Sequence, residues 1–65
     1  MFVIVNGCEH ALTEPQTLEE LLSRLSPPTP FAVARNEEFV PAASYHECRI
    51  CPGDRIEIVH PMAGG

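Results

Sequence analysis

The chain has 65 residues, enough for one domain with a marginal core, since a chain this short buries only ~60% of its unfolded surface. Nine acidic side chains against four arginines and no lysine give a formal net charge of −5, which argues against nucleic acid, whose phosphates require a basic surface. The charge suits solubility alone or partners with basic patches, and no apolar run approaches the ~20 residues of a membrane span.

The opening Met1-Phe2-Val3-Ile4-Val5 lacks the basic region and cleavage site of a signal peptide. The expected compartment is therefore the cytoplasm, where three cysteines are free thiols rather than a disulfide framework. A first strand is predicted over 2–6, turning at Asn6-Gly7, a pair that tolerates positive φ at both positions. A second strand returns over 8–13. Thr17 and Glu20 stand at capping-box spacing ahead of a helix from Leu18 to Leu25. Leu18, Leu21, Leu22 and Leu25 fall on one face of that helix, and Pro27, Pro28 and Pro30 stop it.

The second half reads as extended, with strands predicted over 31–35, 38–40 and 55–60. Asn36-Glu37 and Pro52-Gly53-Asp54 are turns, and Ala42 to Glu47 holds one helical turn, with Ser44 and Glu47 at capping spacing. A hairpin, one amphipathic helix and further strands are most economically a mixed sheet wrapped on a single helix, because one helix covers only one face of one sheet. The expected core is Val3, Val5, Leu18, Leu21, Leu22, Leu25, Ala34, Ile56 and Ile58. Residues 1–60 form the domain. Pro61 to Gly65 carry no packing signal and are expected to be a mobile tail.

Several segments, taken together and in order, resemble the ThiS family of sulfur carriers in thiamine biosynthesis. They are Val3-Ile4-Val5-Asn6-Gly7, Thr17-Leu18-Glu19-Glu20-Leu21-Leu22, Ala32-Val33-Ala34-Arg35-Asn36, Phe39-Val40-Pro41, Gly53-Asp54-Arg55-Ile56-Glu57-Ile58 and Ala63-Gly64-Gly65. The resemblance implies an α+β, ubiquitin-like β-grasp fold with a five-stranded mixed sheet. It implies a carrier or co-substrate rather than an enzyme. The Gly65 carboxylate would be adenylated by an E1-like (ThiF-like) enzyme using ATP. Persulfide sulfur, drawn from a cysteine desulfurase, would then replace AMP, and a ThiG-like thiazole synthase would receive it from the thiocarboxylate. Two features depart from the family pattern: Arg35 replaces a usually apolar residue, and two cysteines occupy 48–51. Both bear on partner details rather than on the carrier role.

The chemistry explains the tail. A carboxylate resists displacement until coupling to AMP supplies a leaving group. No Walker motif or dinucleotide fingerprint occurs in the chain, so ATP and sulfur come through partner enzymes and no cofactor is bound. Gly64 and Gly65 lack a β-carbon and can pass a narrow channel. Five extended residues from Pro61 reach roughly 15–18 Å. A Gly-Gly pair at a chosen place is about a one-in-two-hundred accident at average glycine usage.

Cys48-Arg49-Ile50-Cys51, with His46 nearby, invites a zinc or redox reading. Only Cys8, His10 and His60 remain as further zinc ligands, and a thioredoxin-like site needs a helix start where Pro52-Gly53 makes a turn. One packed and one partly exposed cysteine is the preferred reading, and no metal is expected. The alternatives in function are the small subunit of molybdopterin synthase, a carrier for another acceptor, and a ubiquitin-like or TGS-like binding module without tail chemistry.

Strand alternation suggests a docking face. With Val3 and Val5 inward, Phe2 and Ile4 point out; with Ile56 and Ile58 inward, Glu57 and Val59 point out. Small Ala32 and Ala34 suit the helix side, leaving Phe31, Val33 and Arg35 outside. Phe2, Ile4, Val33 and Val59 are then expected to form one apolar patch leading to Met62 and the tail.

Overall fold

A computed structural model describes residues 1–14 and 16–61. Strands β1 (Phe2–Val5) and β2 (Cys8–Ala11) form the first hairpin. Its turn has φ of 49° at Asn6 and 82° at Gly7, the positive values a two-residue hairpin turn requires. Helix α1 spans Leu18–Leu25. The Glu20 N–H donates to Thr17 Oγ1 at 3.2 Å and the Thr17 N–H donates to Glu20 Oε1 at 2.9 Å, a complete capping box. The Thr17 backbone bond holds the Glu20 carboxyl below the usual carboxylate range. At the other end Ser26 turns left-handed at φ 48°, and its N–H closes on Leu22 O at 2.8 Å.

Strands β3 (Ala32–Arg35) and β4 (Glu38–Val40) make a second hairpin through Asn36 and Glu37, at φ 50° and 72°. Ala42–Glu47 is a 3₁₀ helix entered from Pro41 without a side-chain cap, so the Ser44–Glu47 spacing marks no capping box at its start. Strand β5 (Arg55–Val59) closes the sheet. The order is β2-β1-β5-β3-β4, with β1 and β5 parallel and the other pairs antiparallel. One mixed five-stranded sheet wrapped on one main helix is the β-grasp arrangement expected from the sequence.

The last strand thus lies in the centre, and two asparagines tie it to the hairpins. Beyond the end of β1, Asn6 Oδ1 accepts from the Ile58 N–H at 2.8 Å while its Nδ2 donates to Ile58 O at 3.2 Å. An amide side chain thus extends the β1–β5 ladder. Asn36 Oδ1 accepts from the Arg55 N–H at 3.0 Å.

The core lies between α1 and one sheet face, built from Val3, Val5, Val33, Ile56, Leu18, Leu21 and Leu22, with Leu12 and Ile50 entering from loops. Leu25 and Ile58 are half-buried at its margin. Two expectations require correction. Val33 is 1% exposed and belongs to the core, while Ala34 lies on the opposite face from it. Pairing explains this: Val33 stands opposite Ile58 and Ala34 opposite Glu57, and directly opposed residues share a face. Burying a branched side chain removes more apolar area from water than burying a methyl, so β3 settles with valine inward.

Candidate functional site

The register assigns the outer face of the sheet residue by residue. Ile4 stands beside Arg55 and Glu9. Glu57, Ala34 and Phe39 form a row across β5, β3 and β4, and Val59 with Ala32 forms the row beyond it. Phe2, Phe39 and Val59 are 59%, 68% and 56% exposed, and Ile4 is half-buried. Phe2, Ile4 and Val59 therefore do point outward. Val33 does not, and neither does Arg35, which stands opposite Ile56 on the helix side; Phe31 is half-buried against the core.

Nor do the outward residues form one patch. The Phe2 carbonyl accepts from the Gly53 N–H at 2.7 Å, so Phe2 sits before the start of β5 while Val59 ends it. The separation along the sheet is roughly 20 Å at ~3.3 Å per residue, with the charged Arg55 and Glu57 between them. The apolar surface near the end of β5 is instead Val59, Ala32, Ala34 and Phe39, with Glu57 at its margin. Phe39 was missed in the sequence because a three-residue strand carries too little alternation to assign a face.

The chain leaves β5 at a fixed point. His60 Nε2 lies 2.9 Å from Pro28 O, and because a carbonyl only accepts, that nitrogen carries the hydrogen. The ring packs edge-on to Phe31, with centroids 6.3 Å apart. This seats the residue before Pro61 on the loop that follows α1. Met62, Gly64 and Gly65, the other residues singled out, lie outside the described residues.

A polar cluster occupies the far end of β5. Asp54 is buried; its carboxylate accepts from Arg35 Nε at 2.8 Å, the Cys51 N–H at 2.8 Å and Asn36 Nδ2 at 3.1 Å. Burial pushes this carboxyl up, but the bonds from Cys51, Asn36 and Arg35 outweigh it and hold the group below its ordinary value. Arg35 Nη1 and Nη2 face Cys48 Sγ at 4.0 Å and Cys51 Sγ at 3.7 Å. Among the described residues, no three His, Cys, Asp or Glu side chains gather as metal ligands would, and no helix is long and apolar enough to cross a membrane.

The model of the ThiS family matches residues 3–65. The chain belongs to the ThiS family. Its whole length is 38% identical to a segment of a thiazole synthase of Paramagnetospirillum magneticum and spans 20% of that protein. Residues making up 51% of the chain are 48% identical to the sulfur carrier protein ThiS of Bacillus subtilis, over 50% of that protein. The chain thus spans half or less of the length of these curated relatives. Its fold superposes on the crystal structure of the thiamine biosynthesis protein ThiS of Geobacter metallireducens with a TM-score of 0.87, at 28% identity and with both chains fully covered. The solution structure of that thiamine biosynthesis protein gives 0.79, covering 88% of it. Against the ThiS pattern, the two departures noted in the sequence, Arg35 and the cysteine pair, meet in space as one cluster.

Proposed function

We propose that this ThiS-family chain carries sulfur for the thiazole ring of thiamine as a thiocarboxylate on Gly65. A ThiF-like enzyme of the E1 type adenylates the Gly65 carboxylate with ATP. A persulfide derived from a cysteine desulfurase then displaces AMP to form an acyl disulfide. A thiol of the partner enzymes cleaves that S–S bond, becoming a disulfide and releasing the thiocarboxylate, from which a ThiG-like thiazole synthase takes the sulfur. The chain itself is a co-substrate, with Gly64 kept small so that the tail can enter partner active sites. The observation that carries this reading is the alignment of the whole chain with one fifth of a thiazole synthase. A polypeptide named for that activity contains a segment like this one, which makes the synthase the natural acceptor.

The surface offered to partners is the part of the outer face beside the tail: Val59, Ala32, Ala34 and Phe39. It adjoins the fixed exit at His60, so a partner that grips it has the tail within reach. Exposed apolar side chains on adjoining rows of a sheet more often mark a contact surface than an accident. A reducing cytoplasm suits the three free thiols.

The test is to incubate the chain with an adenylating enzyme of this class, ATP and a persulfide donor, then weigh its C-terminal peptide. Exchange of one oxygen for sulfur supports the proposal. A peptide that stays unchanged with a partner shown to be active on its own carrier overturns it.

A further inference from the structure

We propose that Cys51 is a modification site for small disulfides that bear carboxylates, its sulfur presented to them on the Arg35 guanidinium. The inference stands apart from the carrier reading, because the cluster lies at the start of β5, at the opposite end of that strand from Val59.

The guanidinium is fixed in place. Its Nε–H is held by the buried Asp54 carboxylate at 2.8 Å, which the Cys51 N–H and Asn36 also grip. Its two outer nitrogens are left facing thiol sulfurs at 3.7 and 4.0 Å. Sulfur is a weak acceptor, so these donors remain able to take a carboxylate, which matches their fork geometry. Cys51 is exposed and Cys48 is half-buried. An incoming disulfide therefore meets Cys51 first, beside a cation that attracts its carboxylates.

In the reaction, the Cys51 thiolate attacks one sulfur of the disulfide. The old S–S bond breaks, a new one joins Cys51 to half of the reagent, and the other half leaves as a thiolate. The proton released by Cys51 is available to that leaving group. Cys51 is oxidised and one half of the reagent is reduced. Negative charge spreads over the three sulfurs during exchange, and the adjacent guanidinium stabilises it.

Cys48 is half-buried, and the backbone around it is held: its carbonyl accepts from the Leu18 N–H at 2.8 Å, and the Ile50 N–H donates to Gln16 O at 2.9 Å, which pins Arg49 opposite Thr17 in an extended bridge. The proposed product is therefore the mixed disulfide at Cys51.

Cys8 supplies an internal control, being an exposed thiol whose sulfur, unlike those of Cys48 and Cys51, takes no hydrogen bond from an arginine among the described residues. The reduced full chain is treated with oxidised glutathione, quenched with acid, and mapped by peptide mass. We expect the glutathionyl adduct at Cys51 to form about tenfold faster than at Cys8, the scale of the attraction between the reagent's carboxylates and one nearby cation at a protein surface. The ratio should fall with added salt, and fall again with the uncharged bis(hydroxyethyl) disulfide. Arg35→Met should bring Cys51 to the Cys8 rate; the salt and reagent arms use the unaltered protein and do not depend on that variant folding. Equal rates at Cys8 and Cys51, a ratio indifferent to salt and reagent charge, or direct closure to a Cys48–Cys51 disulfide would each overturn the proposal.

Discussion

The Asp54 carboxylate takes the Nε–H of Arg35 at 2.8 Å across 19 residues of sequence, fastening the second hairpin to the start of the central strand. Asp54 serves three donors at once from a buried position, and asparagine there removes the charge and leaves one acceptor oxygen for all three. Asp54→Asn should destabilise the fold by about 2–4 kcal/mol, the range for breaking a largely buried charged pair. Urea unfolding followed by circular dichroism measures it, and a change under about 0.5 kcal/mol, the scale of an ordinary surface substitution, would contradict the role given to this carboxylate.

The same group sets an acid limit. A carboxyl held below its unfolded value stabilises the fold at pH above that value, and the contribution is lost as pH falls through the folded value. Stability should therefore be insensitive to Asp54 titration near neutrality and decline below about pH 4. Glu20, also lowered, adds to the decline with the same sign. In Asp54→Asn the acid slope should be shallower than in the unaltered protein; identical slopes would rule out Asp54 as a contributor.

Glu37 holds φ of 72°, in the left-handed region that a side chain disfavours. Glycine there removes the strain at some cost in unfolded-chain entropy. Glu37→Gly should raise stability by about 0.5–1 kcal/mol, seen as a higher urea midpoint at unchanged slope. A lower midpoint would mean that the glutamate side chain makes a contact worth more than the strain.

Three aspartate substitutions separate the faces of the sheet. Val59→Asp should leave the chain folded and weaken binding to the adenylating enzyme and to thiazole synthase by at least tenfold, a loss of about 1.4 kcal/mol. Phe2→Asp, roughly 20 Å away along the sheet, should affect neither partner comparably. Val33→Asp should unfold the protein, since it buries an unpaired charge in the core. A folded Val33→Asp variant would mean the strand can slip its register.

Deleting Gly65 should abolish adenylation while leaving the melting temperature unchanged, because every buried residue named above lies between Val3 and Ile56. Acquisition of AMP or sulfur by the shortened chain would place the chemistry elsewhere.

What could be read from the sequence was local. Thr17 and Glu20 cap a helix because both partners sit within one turn, and Asn6-Gly7 turns because its own backbone requires it. The face of β3 was not legible in the same way. Ala-Val-Ala-Arg alternates equally well in either sense, and its pairing with β5, not its own composition, decides which side meets the helix. Leu12 fell within the strand expected over 8–13, but β2 ends at Ala11 and Leu12 is buried from the loop beyond it; Ile50 is likewise buried from a loop, where no periodicity marks it. The Arg35–Asp54–Cys51 cluster joins the end of β3 to the turn from Cys51 to Asp54, two segments whose meeting neither one announces. The second role of Asn6, completing the ladder of Ile58, was likewise hidden behind its evident role in a turn.

The central position of β5 has a consequence for how the protein is made. The sheet is two separate hairpins until Arg55–Val59 inserts between them, and neither hairpin alone buries enough to persist in water. During synthesis the ribosome must therefore deliver the chain through Val59 before any stable body exists. A product broken off before Val59 lacks the strand that joins the hairpins, so an adenylating enzyme that recognised the folded sheet would pass it over and consume no ATP on it.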